Sequence, residues 1–299
     1  MKAADILLGL FTLCLCISCG TPVKQESIVK KKGAVYVLSF ADCSLSVSAE
    51  KGGRVVSFKC RGNELLTSDS IHEKYYGATF WLSPQANYWP PYPSVDNQPY
   101  AAAVMGNKLR LTSMPDTLSG LSIIKEFSVS EADTSVSVNY SIRNVSCGVK
   151  ELAPWNVMRV HGGLSFFPVG EVDMKDKLAV TGSREDSEGI VWVPTSDGDN
   201  ENAQKLYSTA RGWLAHRYGS LLFVKCFPDI RPDEIPPGQG EVEIYVAPKR
   251  GYVELESHGK YTSLQPGDSL NYQLKWFLRE MPVGEDADFL HRVESLIQL

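Results

Sequence analysis

Positive charge is the first thing this sequence is short of. Its 30 lysines and arginines stand against 35 aspartates and glutamates, for a formal net charge of −5. A protein that tracks phosphate backbones needs a basic surface, so no nucleic-acid partner is expected. Beyond the first nineteen residues, cysteine pairs at metal-binding spacing are also missing. Cys43, Cys60, Cys147 and Cys226 are scattered, with no C-x-x-C among them, so zinc is not expected; no metal site or cofactor is assigned, and metal dependence stays open. These four of the chain's seven cysteines allow three pairings, and spacing does not choose among them. Each sits in an apolar, strand-like context, and buried free thiols are the expectation. Beyond the first residues, no apolar run approaches the about 20 residues of a membrane-spanning helix. Ser196–Asn202 (SDGDNEN) lacks the glycine and closing glutamate of an EF-hand at their proper places. It reads as an exposed loop.

What is present begins with an export signal. Lys2 supplies a positive end, and Ile6 to Ile17 form a short apolar run closing on Ile17-Ser18-Cys19-Gly20. That is a signal-peptide pattern, and its small residues around a cysteine resemble the lipobox of bacterial lipoproteins. The resemblance implies cleavage before Cys19, lipidation of that cysteine, and a membrane-anchored protein of the bacterial envelope, periplasm-facing since no acidic run follows Cys19. The expected plan is a signal over 1–18, a lipidated cysteine and solvated tether over 19–33, and one domain over 34–299.

Within that domain the dominant pattern has period two. Val136, Val138 and Tyr140 alternate with Ser135, Ser137 and Asn139; Val242, Ile244 and Val246 form a second set; Tyr272, Leu274, Trp276 and Leu278 form a third. Such alternation marks half-buried antiparallel strands, and Gly52-Gly53, Gly106-Asn107 and Pro266-Gly267-Asp268 punctuate them. A helical period appears only at the end, where Phe289, Leu290, Val293, Leu296 and Ile297 fall on one side of a short helix. Two long irregular stretches interrupt the pattern. Ser83–Pro99, rich in proline and aromatics and carrying Trp89, suits the rim of a binding site. Phe227–Gly240 reads as a rigid surface excursion.

Two strands carry chemistry. In WNVMRVH, alternation puts Trp155, Val157, Arg159 and His161 on one face. Tryptophan can stack on a sugar's C–H face, arginine can donate to hydroxyls, and histidine can pass a proton near neutral pH. In YVELESH, Tyr252, Glu254, Glu256 and His258 share a face opposite Val253 and Leu255. Two carboxylates so close are costly to bury unpaired, so this face is either solvent or a polar cleft. In a cleft, repulsion and burial would raise one carboxylate's pKa and suit it to general-base work. Alternation alone leaves both open.

The order GGRVVSF (residues 52–58), GATFW (77–81), APWNVMRV (153–160), VELES (253–257), LQPGD (264–268) and a strand ending Trp276-Phe277-Leu278 resembles the galactose mutarotase (aldose 1-epimerase) superfamily. It is most similar to a bacterial branch known only as a domain of unknown function, over roughly residues 34 to 280. The resemblance implies an all-β fold, a large twisted antiparallel β-supersandwich with a carbohydrate cleft, followed here by the short C-terminal helix. It implies a glutamate that takes the anomeric proton, matched by Glu256, and a histidine that protonates the ring oxygen, in a place His161 would fill. Trp81, Trp89, Trp155, Arg159 and Glu254 would be sugar contacts. The family's His-x-Tyr-Phe-Asn signature and its early arginine and histidine motif have no counterpart here. Three functions therefore stay open: an aldose 1-epimerase-like enzyme, a non-catalytic glycan-binding lipoprotein, and a structural module with a vestigial cleft.

Overall fold

The computed structural model describes residues 28–90, 94–171, 179–196, 201–249, 251–281 and 286–298. The signal, Cys19 and the first part of the tether lie outside the described residues, as do residues 91–93 of the aromatic stretch and 197–200 of the acidic loop. Two antiparallel sheets face each other, as the alternation requires. The larger, 11-stranded sheet runs in the order β1 (Val29–Lys32), β2 (Val35–Phe40), β3 (Cys43–Ser48), β4 (Arg54–Cys60), β6 (Ala78–Ser83), β11 (Lys150–Val160), β19 (Val253–His258), β18 (Val242–Val246) and β15 (Gln204–Ser208). Short strands β5 (Asn63–Glu64) and β20 (Thr262–Leu264) attach to β4 and β11. The 10-stranded sheet runs β13 (Arg184–Glu185), β14 (Ile190–Pro194), β12 (Leu164–Pro168), β16 (Trp213–Tyr218), β17 (Leu221–Cys226), β21 (Ser269–Glu280), β10 (Ser135–Asn144), β9 (Leu121–Ser130), β8 (Lys108–Ser113) and β7 (Tyr100–Met105).

The core lies between the sheets. Leu38, Leu45, Phe58, Phe80, Met158 and Leu255 of the larger sheet meet Leu111, Phe127, Tyr140, Phe223 and Trp276 of the smaller one, all buried. Phe80 stacks on Tyr140 with ring centroids 4.1 Å apart. A second apolar cluster joins Phe289 and Val293 of the C-terminal helix (Asp286–Ile297) to Phe166, Trp213, Leu222 and Phe277. The expected terminal helix is thus present, packed on the smaller sheet by its periodic face.

Two lysines are sealed into this interior. Lys125 donates to the Gly52 carbonyl at 2.7 Å, and Lys225 to the Leu255 carbonyl at 3.0 Å and the Asn156 side chain at 3.3 Å. Burial lowers them to about 8 and about 7, respectively.

Two expectations need correction. The tether ends earlier than residue 33, because Val29–Lys32 is strand β1, paired in register with β2 and with Val29 buried. Its three lysines are exposed and mark the sheet's edge, where charge discourages pairing with another chain. The cysteines are not uniformly buried either. Cys43 and Cys60 are, Cys226 is half-buried, and Cys147 is exposed between β10 and β11, where the alternation has already stopped.

Gly77 fixes the start of β6, the strand that carries the site's first residues. Its φ is +65°, and a Cβ there would meet the Val55 carbonyl oxygen at 2.2 Å. Its N–H donates to the Thr67 carbonyl, and its own carbonyl accepts from the Arg159 N–H at 2.9 Å. Gly77→Ala should therefore destabilise the protein by about 2 kcal/mol or more, through left-handed strain and a backbone clash together. Urea denaturation of the variant beside the wild type checks this; an unchanged midpoint would show that the β4–β6 crossing gives way easily.

Candidate functional site

Register, more than any loop, assembles the site. Trp155 lies opposite Trp81 on one side and His258 on the other; Val157 lies opposite Thr79 and Glu256; Arg159 lies opposite Glu254. Further along the sheet, Glu243 pairs with Glu256 and Tyr245 with Glu254, while Lys205 pairs with Tyr245 and Tyr207 with Glu243. Cross-strand partners share a face, so all of these side chains stand on the face turned away from the core. Phe80, Met158, Leu255, Ile244 and Leu206 alternate with them and point inward.

The centre of this face is a buried ionic cluster. The Lys205 Nζ lies 2.5 Å from Glu243 Oε2 and 3.1 Å from Glu256 Oε1. Trp155 donates its indole N–H to Glu256 Oε2 at 2.7 Å, and the Gly240 N–H donates to Glu243 Oε1 at 2.8 Å. His258 stacks on Trp155 with centroids 5.2 Å apart, its Nδ1 3.8 Å from Glu243 Oε1. Glu243, Glu256 and His258 are fully buried, whereas 20% of the Lys205 side chain is exposed. The lysine is the cluster's connection to solvent.

Burial raises Glu256 to about 7; Lys205 pulls against that shift, and the Glu243 charge beside it adds to it. Burial likewise raises Glu243, opposed by Lys205. For Lys205 burial disfavours the ammonium, but Glu256 and Glu243 outweigh it and hold its pKa above the usual lysine range. His258 is pushed well below its ordinary value by burial and by Lys205 and Lys225, and is neutral. Two carboxyl groups this close share one proton more readily than they carry two charges. One lysine and one retained proton together neutralise the pair.

These groups also form a donor set. Ligand-type atoms of Glu243, Glu256 and His258 lie within 4.8 Å of one another, and two carboxylates with an imidazole suit a divalent cation. In this structure the Lys205 ammonium supplies the positive charge between the same carboxylates.

Beside the cluster stands an aromatic wall. Trp81 stacks on Trp89 at 5.4 Å and meets Trp155 edge-on at 5.1 Å, and Tyr75 lies 5.9 Å from Trp89. The Arg159 guanidinium lies over the Trp81 and Tyr75 rings at 5.1 and 5.4 Å, donates to Glu254 Oε1 at 2.8 Å, and reaches the Thr79 hydroxyl at 3.1 Å. Trp81 and Trp155 are buried; Trp89, Tyr75 and Glu254 are half-buried and line the approach.

The expected site residues thus fall into two groups. Glu254, Glu256, Trp81, Trp89, Trp155 and Arg159 come together on one face. His161 does not join Glu256. β11 ends at Val160, and the chain then leaves for the other sheet through Gly162 and Gly163, so alternation stops one residue too soon for His161. Its ring stacks instead on Tyr218 of β16 at 5.1 Å. It lies four residues beyond Val157, the register partner of Glu256, a separation of roughly 13 Å along an extended strand. Lys205 and Glu243 were not foreseen. Alternation in QKLYS and VEIYV sets each opposite an apolar inward row, but only strand order shows that both rows border Glu256.

Comparison with known proteins places this geometry. A family profile described as "Domain of unknown function (DUF4380)" matches residues 82–279. No curated protein sequence matches the chain. Among solved structures, a candidate aldose 1-epimerase of Escherichia coli K12 is similar at 11% identity and a TM-score of 0.57, over 83% of this chain and 99% of that one. A galactose mutarotase-like protein of Lactobacillus casei is similar at 10% identity and a TM-score of 0.57, over 82% and 100%. A TPR-domain containing protein of Parabacteroides distasonis is similar at 14% identity and a TM-score of 0.60, over 84% of this chain but 48% of that one. This chain therefore spans about half the length of the last. At such identities the likeness is one of fold, and the fold is the galactose mutarotase-like β-supersandwich.

The raised carboxyl pKa has a consequence for stability. Glu256 holds its proton in the folded protein up to about pH 7, whereas an unfolded glutamate releases it near pH 4.3. Folding takes up a proton between those values, so this contribution is full at the acid end and is lost as pH rises through about 7. Glu256→Gln, which cannot ionise, should therefore lose less stability than the wild type between pH 5 and 8. Urea denaturation across that range measures it; parallel curves would mean that Glu256 is already charged at pH 5.

Proposed function

We propose, for a chain that belongs to the family described as Domain of unknown function (DUF4380), that the outer face of the larger sheet binds carbohydrate. The observation that carries this is the half-buried wall of Tyr75 and Trp89, backed by Trp81 and flanked by the Arg159–Glu254 pair and the partly exposed Lys205. Flat aromatic faces take the C–H side of a sugar ring, while the Glu254 carboxylate, held in place by the buried Arg159 guanidinium, and the Lys205 ammonium take its hydroxyls. Similar folds include a galactose mutarotase-like protein and a candidate aldose 1-epimerase, which agrees with a small sugar or a glycan end as the ligand.

Binding without turnover is the reading that the sealed carboxylate favours. Glu256 has no exposed surface, and its two oxygens already lie against Trp155 and Lys205. A second reading rests on the rise of Glu256 to about 7, which suits a base at the anomeric hydroxyl. Lys205 would then turn outward, and the proton-sharing carboxyl of Glu243, not His161, would lie within reach as the acid. The N-terminal signal and Cys19 complete the proposal as the lipid anchor of an exported envelope protein, periplasm-facing.

Trp89→Ala should weaken aldose binding by about 1–3 kcal/mol, the scale of an aromatic anchor, in calorimetry against a panel of monosaccharides. Equal affinity in both proteins would remove the aromatic wall as the platform. Exchange NMR on the same sugars decides between the readings. No acceleration of anomer interconversion supports binding alone, whereas acceleration that disappears in Glu256→Gln supports proton transfer. Labelling cells with a radioactive fatty acid should mark the wild type and not Cys19→Ala; equal labelling would refute the anchor.

A further inference from the structure

Cys43 opens β3 and Cys60 closes β4, directly opposite each other in register. The Arg61 N–H donates to the Asp42 carbonyl at 2.8 Å, which makes 42–61 the hydrogen-bonded pair and its neighbour 43–60 a non-hydrogen-bonded one. Cα atoms at such pairs lie about 4.5 Å apart, with side chains leaning together, and disulfides span Cα separations of roughly 4.4–6.8 Å. The two Sγ atoms are 2.7 Å apart. Both cysteines are buried, whereas Cys147 is exposed and Cys226 lies half-buried in the other sheet. Of the three pairings that four cysteines allow, geometry favours the one that joins 43 to 60.

We propose that Cys43 and Cys60 are a disulfide-forming pair, oxidised by exchange with a disulfide-carrying protein or small molecule as β3 and β4 come together. One cysteine thiolate attacks the donor disulfide, forming a mixed disulfide and expelling one donor thiolate. The second cysteine attacks the mixed disulfide at the first cysteine's sulfur and expels the other. The pair loses two electrons and two protons, and the donor leaves as two thiols. Burial, together with the Cys60 sulfur, pushes the Cys43 thiol up to about 12. Both sulfurs are buried once the sheets have closed, out of reach of an exchange partner, which puts the exchange early in folding.

The bond would sit where it is mechanically useful. β4 touches β6 through a single register pair, Val55 with Ala78, so the β1–β4 section is joined to the site-bearing strands by a narrow seam. A crosslink at the open end of the β3–β4 hairpin keeps that section from fraying. It is independent of any sugar-binding role.

The test refolds the reduced full-length chain in a glutathione redox buffer, quenches it with N-ethylmaleimide and maps the peptides without reduction. Cys43 and Cys60 should appear linked to each other, with Cys147 and Cys226 alkylated. Dithiothreitol should lower the melting temperature of this product by roughly 5–10 °C, and should leave that of Cys43→Ala/Cys60→Ala unchanged. Alkylation of Cys43 and Cys60 to the same extent as Cys147, or a link from either to another cysteine, would overturn the proposal.

Discussion

A lysine ammonium held between two carboxylates on a sheet face is the interaction around which the rest of this surface is arranged. Unpaired, Glu243 and Glu256 could not both stay charged without water, because burial and mutual repulsion each oppose ionisation. Lys205 meets both, and the carboxyl groups relieve the remaining repulsion by retaining a proton. The neighbours follow from that arrangement. The Trp155 indole N–H completes the coordination of Glu256, the Gly240 N–H that of Glu243, and neutral His258 fills the remaining wall without adding charge. Removing Lys205 alone would leave an uncompensated acidic pair beneath tryptophan, which is why the cluster is better understood as one unit than as three ionisable residues.

Directly behind the cluster, on the core side of the same sheet, lies a second cation with the opposite linkage. Lys225 donates to the carbonyl of Leu255, the residue before Glu256, and burial lowers it to about 7. An unfolded lysine stays protonated to about pH 10.4, so folding releases a proton there above about pH 7, and stability from this group rises with pH. Glu256 loses stability as pH climbs toward the same value. The two groups flank one strand and their windows meet rather than overlap, so together they place a minimum of stability near pH 7, with the Glu256 contribution on the acid side and the Lys225 contribution on the alkaline side.

The sheets, the terminal helix, the shared face of Trp155 with Arg159 and the shared face of Glu254 with Glu256 were legible in the sequence because each depends on period two or period 3.6 within one segment; that the two faces are one depends on the pairing of β11 with β19. His161 was misplaced because alternation holds only while the strand lasts, and nothing in WNVMRVHGG marks Val160 as its last residue except the glycines that follow. Lys205 and Glu243 escaped for a different reason. Their strands carry ordinary amphipathic patterns, and what makes these residues matter is the order β11-β19-β18-β15, in which neighbours in space are distant in the chain. Pairing order is a long-range property, and local patterning does not encode it. The cysteines show the same division. Their separation said nothing, whereas register brings two of them into contact.

The fold therefore supplies a platform, and the residues on it decide what the platform does. A proton-transfer site needs its base open to the ligand, yet here Glu256 is fully buried and accepts the Trp155 indole N–H. The half-buried part of this face is aromatic and hydrogen-bonding: Trp89, Tyr75 and Glu254, with Lys205 at the boundary between sealed and open regions. Because Lys205 is the one member of the ionic cluster with appreciable exposure, any ligand that reaches Glu256 must first exchange its own hydroxyls or charge for those lysine contacts. On the proposed sugar-binding reading, Lys205 and Trp155 together set the threshold between holding a ligand at the aromatic wall and acting on it.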